Sequence, residues 1–274
     1  MGTLYLVATP IGNLEDMSPR AIRVLREASL IAAEDTRHTG TLLKHFGIDT
    51  PLTSYFEHNK LSKLDFILDK LSQGDVALVS DAGMPAINDP GYELVKAALA
   101  SGFDVLPVPG PSAPISALAV SGLPTDSFLY LGYLPHKASA RRKFVERISN
   151  SLYTLIFFES PYRIVESLED ILSILGDRKI CVAREMTKMF EEYWRGTVSG
   201  ALDYFKRQPA RGEFTLVIEG KRKEESDRWT EEQIRAAIKS ESQSNKSAKE
   251  ISAELSGQSG WTKRDIYRLI NQEG

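Results

Sequence analysis

The chain has 274 residues, 42% of them apolar and 26% charged, and a formal net charge of −3. That length suits about two domains, and that balance excludes a disordered chain and gives no overall basic charge for holding nucleic acid. No apolar run reaches the ~20 residues of a membrane span, and one cysteine, Cys181, excludes an internal disulfide and a multi-cysteine zinc site.

Leu4-Tyr5-Leu6-Val7-Ala8 reads as a buried strand, with no basic segment before it, so a cytoplasmic location is expected. Ser18-Pro19 supplies a cap and a first-turn proline for the helix that carries Ala21, Ile22, Val24 and Leu25. Leu30 to Ala33 is a second strand, and Thr39 to Phe46 a short helix. Lys60 to Leu71 places Leu61, Leu64, Ile67, Leu68 and Leu71 at helical spacing. Gly74 stops that helix before the strand at Val76–Val79. A helix over Tyr92–Ala100, a strand over Val105–Val108 and a helix from Ser112 to Val120 follow. Alternation of this kind predicts an α/β fold with a mainly parallel sheet.

Ser121 to Ser127 reads as a boundary between a first α/β domain, 1–121, and a second, 122–221. The second holds strand candidates at Phe128–Leu131, Tyr153–Phe158, Ile180–Arg184, Tyr193–Thr197 and Phe214–Glu219. Helices fall near Ser139–Ser149, Arg163–Leu175 and Gly200–Lys206, and the strands near Cys181 and Trp194 should pair antiparallel. Cys181 lies in an apolar stretch and reads as an inert, buried thiol. Residues 222–274 read as a small helical C-terminal extension, in which basic and acidic residues nearly cancel.

Four strands run into loops rich in turn residues: Thr9-Pro10-Ile11-Gly12-Asn13, Glu34-Asp35-Thr36-Arg37-His38, Ser80 to Gly91, and Pro109 to Pro114. In a parallel sheet such loops lie on one edge and converge on one cleft, where Asp81 would accept from an ammonium or a sugar hydroxyl. Neither the glycine pattern of dinucleotide folds nor the phosphate-binding lysine loop is present. The hydrolase serine elbow is missing too. His38 and His45 stand two helical turns apart without a third ligand, so no metal site is expected. A basic cluster, Lys137, Arg141, Arg142, Lys143 and Arg147, reads either as a solvated helix face or as a contact for nucleic-acid phosphates.

Several motifs occur in order: Thr9 to Leu14, Ala33 to Arg37, Ser80 to Pro85, Pro109 to Ala113 and Phe158-Glu159-Ser160-Pro161-Tyr162-Arg163. They resemble the tetrapyrrole-methylase superfamily and, within it, the branch that methylates small-subunit ribosomal RNA on a cytidine 2′-oxygen. Arg184 to Lys188 and Gly212 to Thr215 are similar to that branch too. Met84 stands where the branch more often has threonine. The resemblance implies two α/β domains with a cleft between them, S-adenosylmethionine in that cleft, a homodimer, and small-subunit ribosomal RNA or the assembled subunit as partner. By motif, it implies a donor site of Pro10, Asp81, Ala82, Gly83, Met84, Ser112, Ala113 and Pro114, with Phe158 and Thr215 on the second-domain wall. Candidates for activating the acceptor hydroxyl are Glu34, Asp35, Arg37, Glu159, Arg163 and Lys188, each also suited to a buried ion pair. Two other readings stay open: methylation of a tetrapyrrole or other small molecule, and an RNA-binding module that keeps an adenosyl pocket without turnover.

Overall fold

The computed structural model describes residues 2–208, 210–221, 229–242 and 246–271. The chain divides into two compact units, Met1–Ser149 with Tyr153–Glu219, and Asn150–Leu152 with Gly220–Gly274.

The larger unit contains two five-stranded sheets. The first comprises β1 (Thr3–Val7), β2 (Leu30–Ala33), β3 (Leu52–Ser54), β4 (Val76–Val79) and β5 (Asp104–Val108), in the order β3-β2-β4-β1-β5. Every pairing in it is parallel. β2 and β4 are buried on both faces, which is why they read as unbroken apolar runs. Ala77 and Val79 point to a core shared with α1 (Pro19–Glu27) and α2 (Thr36–His45). Val76 and Leu78 point to the opposite core, with α3 (Leu64–Gln73) and α4 (Tyr92–Ala100). β3 escaped the sequence reading because three residues carry no readable period. Helix α2 begins three residues earlier than expected, since the Asp35 side chain accepts the Arg37 amide at 2.8 Å and caps it. Helix α3 begins four residues later than expected, because Asn59 holds the Phe56 amide at 2.8 Å in the turns before it.

The second sheet comprises β6 (Phe128–Tyr133), β7 (Thr154–Glu159), β8 (Lys179–Arg184), β9 (Glu192–Thr197) and β10 (Phe214–Ile218), ordered β6-β7-β10-β8-β9. Only β6 and β7 are parallel, so the sheet is mixed. Val182 sits opposite Trp194 in an antiparallel pair, as expected. Cys181 is fully buried in β8, and burial pushes its thiol pKa up. One face of the sheet packs on α6 (Ala138–Arg147), α7 (Ile164–Leu175) and α8 (Val198–Arg207). The other face takes α5 (Ala113–Ser121), whose Ala117 and Leu118 pack on Ile156, Ala183 and Val217. Thus the helix that follows the last strand of the first sheet is spent covering the second, and it holds the two sheets together.

In the smaller unit, α9 (Glu231–Glu241), α10 (Ala248–Ser259) and α11 (Lys263–Ile270) enclose Ile234, Ile238, Ile251, Leu255, Ile266 and Leu269. Capping boxes at Thr230 and Ser247 start the first two. The expected start of this extension, residue 222, lies outside the described residues. Among the described residues, no helix is long and apolar enough to cross a membrane.

Candidate active site

The loops after β1, β2, β4 and β5 leave the first sheet from neighbouring strands, and hydrogen bonds lock them to each other. Thr9 and Gly83 exchange backbone bonds of 2.9 and 3.0 Å. The Thr9 hydroxyl donates to the Ser80 carbonyl at 3.1 Å. Asp81 Oδ1 accepts the Asp35 amide at 3.1 Å, and Glu34 Oε2 accepts the Asp81 amide at 3.4 Å. At Gly110 a Cβ would stand 3.0 Å from the Ala8 Cβ, so the β5 loop lies hard against the β1 loop. The loop after β4 also holds two non-glycine residues in the left-handed region, Ala86 at φ 69° and Asn88 at φ 66°. Such backbone costs about 1–3 kcal/mol per residue and persists only where surroundings enforce it.

Above these loops lies a cavity of about 610 Å³, within the range of small-molecule sites. From the first sheet it takes Glu34, Asp81, Ala82, Gly83 and Met84, and from the start of α5 it takes Ser112, Ala113 and Pro114. Phe158 and Thr215 of the second sheet face them, as neighbours across the β7–β10 pair. Nine of the ten expected donor residues therefore line one space. The exception is Pro10. The two-way bridge at Thr9 turns the chain so that Ile11 faces the cavity instead, with its Cγ2 3.6 Å from where a Gly83 Cβ would stand.

The six candidates for acceptor activation separate. Glu34 lines the cavity; no cation pairs with it among the described residues, and burial, with the charges of Asp81 and Asp35, raises its pKa. Asp35 instead caps α2 and pairs with Arg37 at 2.7 Å, which holds its carboxyl far below the usual range. Arg37 is 91% exposed. Glu159 is turned away from the cavity into the protein. It accepts from Arg163 at 2.7 Å, from the Ser167 hydroxyl at 2.5 Å and from the Ser160 amide at 2.7 Å. Arg163 also donates to the Leu134 carbonyl at 3.0 Å, so this pair fastens the end of β7 to the end of β6. Lys188 lies outside the lining and bridges Glu185 and Glu213, each at 3.0 Å; of these, Glu213 lines the cavity.

Of the basic cluster, Arg141 must be corrected. It is 2% exposed, bonded to Asp170 at 2.7 Å and to Glu166 at 3.4 Å, and so is turned away from any phosphate in solution. Helix α6 packs that side on α7, where the acids stand. Lys137, Lys143 and Arg147 are exposed. Arg142 is exposed too, but shares Asp170 at 2.8 Å.

Sequence reasoning missed Asp89, Tyr130, Tyr133 and Glu213 in the lining. Asp89 was legible in principle, as the last acid of the loop after β4. Its pKa is pushed up to about 6 by burial, then by the charges of Glu34 and Asp81. The tyrosines were not legible. In a regular strand residues three apart face opposite ways, but β6 shifts register between Tyr130 and Tyr133. Both rings therefore meet Phe158, at 5.5 and 5.4 Å between centroids. The Tyr130 hydroxyl is buried and has no hydrogen-bond partner among the described residues.

Residues 3–202 match the family described as tetrapyrrole (corrin/porphyrin) methylases. The chain belongs to this family. A "Ribosomal RNA small subunit methyltransferase I" of Halalkalibacterium halodurans is 47% identical over 280 residues, covering 99% of this chain and 96% of that protein. One of the same name from Synechocystis is 44% identical, over 98% and 97% of the two chains. Among solved structures, the methyltransferase CobJ superposes with a TM-score of 0.60 at 18% identity, over 80% of this chain and 95% of that one. The uroporphyrin-III-C-methyltransferase of Thermus thermophilus gives 0.56 at 20%, over 80% and 94%; these two likenesses speak for the fold. The protein is a methyltransferase, and methyltransferases of this family use S-adenosylmethionine as methyl donor. The cavity suits that group. Of its four acids, Glu213 is paired with Lys188, while Glu34, Asp81 and Asp89 complement a ligand bearing a sulfonium and an ammonium, and the unbonded Tyr130 hydroxyl offers a donor to a ligand atom.

Proposed function

We propose that the protein methylates the ribose 2′-oxygen of a cytidine in small-subunit ribosomal RNA, acting as a homodimer in the cytoplasm. The observation that carries this reading is the near-complete alignment, at 44–47% identity, with proteins named for small-subunit ribosomal RNA methylation. It is joined to a cavity whose lining holds nine of the ten residues expected for the donor.

Bound in the cavity, S-adenosylmethionine supplies a methyl carbon already activated by its sulfonium. The protein's task is then alignment and proton transfer. Interlocked loops on a rigid sheet hold Asp81, Ala82, Gly83 and Met84 in place before the ligand arrives, and such positioning is worth up to about 7–11 kcal/mol of barrier. Ser112, Ala113 and Pro114 supply the wall at the start of α5, and Phe158 and Thr215 supply an apolar face for the adenine. Glu34 is the residue assigned to take the hydroxyl proton. It faces the cavity, lacks a cation, and is a stronger base than an ordinary carboxylate because burial raises its pKa. A positioned base is worth roughly 10²–10⁴-fold. Asp35 and Arg37 hold the start of α2 beneath it, while Glu159, Arg163 and Lys188 brace the opposite wall. Lys137, Arg142, Lys143 and Arg147 present charge to the RNA backbone.

Small subunits from cells lacking this methylation, incubated with methyl-labelled donor and the protein, should give label in 2′-O-methylcytidine after digestion. Label confined to a tetrapyrrole, or absent from RNA, overturns the reading. Light scattering at working concentration should return twice the chain mass.

A further inference from the structure

The carboxyl edge of the second sheet carries large side chains that no core uses. β6 pairs parallel with β7, and β7 and β8 each pair antiparallel with β10, so β6, β7 and β8 all run the same way. The segments that follow them leave the sheet at one edge. Exposed there are Tyr133 (56%), Tyr162 (93%), Met189 (91%) and Phe190 (70%). In the order β6-β7-β10-β8, this row spans three strand spacings, or about 14 Å. Single exposed apolar residues are ordinary, but a row of them marks an interaction surface.

Tyr133 ties the row to the site. It lines the cavity, 5.4 Å from the Phe158 ring, and is more than half exposed, so the row starts at the cavity mouth. Cations stand along the same edge. Lys137 follows β6 and is exposed. Arg211 precedes β10 and is exposed, its carbonyl held by Arg184 at 2.7 Å. Arg163 and Lys188, by contrast, are engaged by carboxylates.

Resting on the reading above, we propose that Tyr133, Tyr162, Met189 and Phe190 form a platform on which unpaired bases beside the target nucleotide stack, with Lys137 and Arg211 meeting the phosphates. An A-form helix shows its 2′-hydroxyls in a shallow minor groove, and for one to reach a donor held inside a concave cavity the nucleotide swings out of the stack, so that its neighbours lose their partners. Aromatic faces replace that stacking whatever the base, and adjacent cations follow the backbone. A second copy of this chain would favour a surface whose centre is depleted of charge. This edge consists of loop tips with cations between them.

The test uses the full-length protein with Tyr162→Ala, Met189→Ala and Phe190→Ala combined, at three side chains that no core needs. KM for undermethylated small subunits should rise at least tenfold, with donor affinity by calorimetry and mass by light scattering unchanged. Tyr162→Phe with Phe190→Trp should restore the wild-type KM. An unchanged KM in the triple variant, beside a wild type that methylates RNA, overturns the platform and leaves the function standing. A fall in mass together with the loss overturns it in favour of a contact between copies. A wild type that transfers no methyl to RNA overturns the function and the platform with it.

Discussion

Glu34 and Glu159 stand at the carboxyl ends of strands in the two sheets, and their surroundings treat them oppositely. Glu159 is buried, and is met by a guanidinium, a hydroxyl and an amide. Glu34 meets one long amide bond and two neighbouring acids, with its pKa raised. The cations of the first sheet's edge do not reach it: Arg37 is taken by Asp35, and Lys60 by Glu57 and Glu93. Cations therefore divide the labour between the sheets. Where one is within reach, an acid becomes a fastening; where none is, it stays a charge looking for a ligand.

The sharpest break of that comparison is a pair of substitutions. Glu34→Gln should lower kcat by roughly 10²–10⁴ while leaving the fold intact, measured by single-turnover methylation beside a thermal melt. Glu159→Gln should lower stability while sparing chemistry in the protein that remains folded. Comparable losses of kcat in both would end the distinction.

Buried fastenings give the next largest effect. Arg141→Ala removes the buried one of the two guanidinium groups on Asp170 and leaves Arg142 in place, and should cost about 1.5–3 kcal/mol in urea unfolding. Arg142→Ala, at the exposed side of the same carboxylate, should cost less than about 1 kcal/mol. Equal costs would mean that burial is not what separates them.

Asp81→Asn should weaken donor binding by about 10- to 100-fold, or ~1.4–2.8 kcal/mol, in calorimetry. Unchanged affinity removes Asp81 from the donor site. A smaller effect belongs to Asp89. With its pKa near 6, it is mostly protonated at pH 5, so donor affinity should fall about tenfold between pH 7 and pH 5; Asp89→Asn should flatten that profile. Because folding raises this pKa, the group's contribution to stability is full below its unfolded value near 3.8 and is lost as pH rises through about 6. Asp89→Asn should then raise Tm at pH 8 and leave it unchanged at pH 3. The smallest effect is expected from Lys143→Ala with Arg147→Ala, which should flatten the salt dependence of RNA binding by a slope of ~0.7–0.9 per lost phosphate contact.

The local pattern of the chain was enough to place most of the elements, because an apolar run of four or five residues bounded by turn formers has few other ways to bury itself. It was also enough to bring Asp81 and Ser112 to one cleft, since parallel strands send their following loops to one edge; Phe158, inside a strand of the mixed second sheet, was placed there only by the family resemblance. Capping moved the start of α2, and a three-residue strand left no period to read. What the chain alone did not determine was which charge meets which. Arg141 looks like its neighbours Arg142 and Lys143 in sequence, and only the packing of α6 on α7 turns it inward to Asp170. Tyr130 and Tyr133 enter the cavity together only because β6 shifts register against β7. Burial, ion pairing and strand register depend on residues tens of positions away, so they are set when the elements pack and not before.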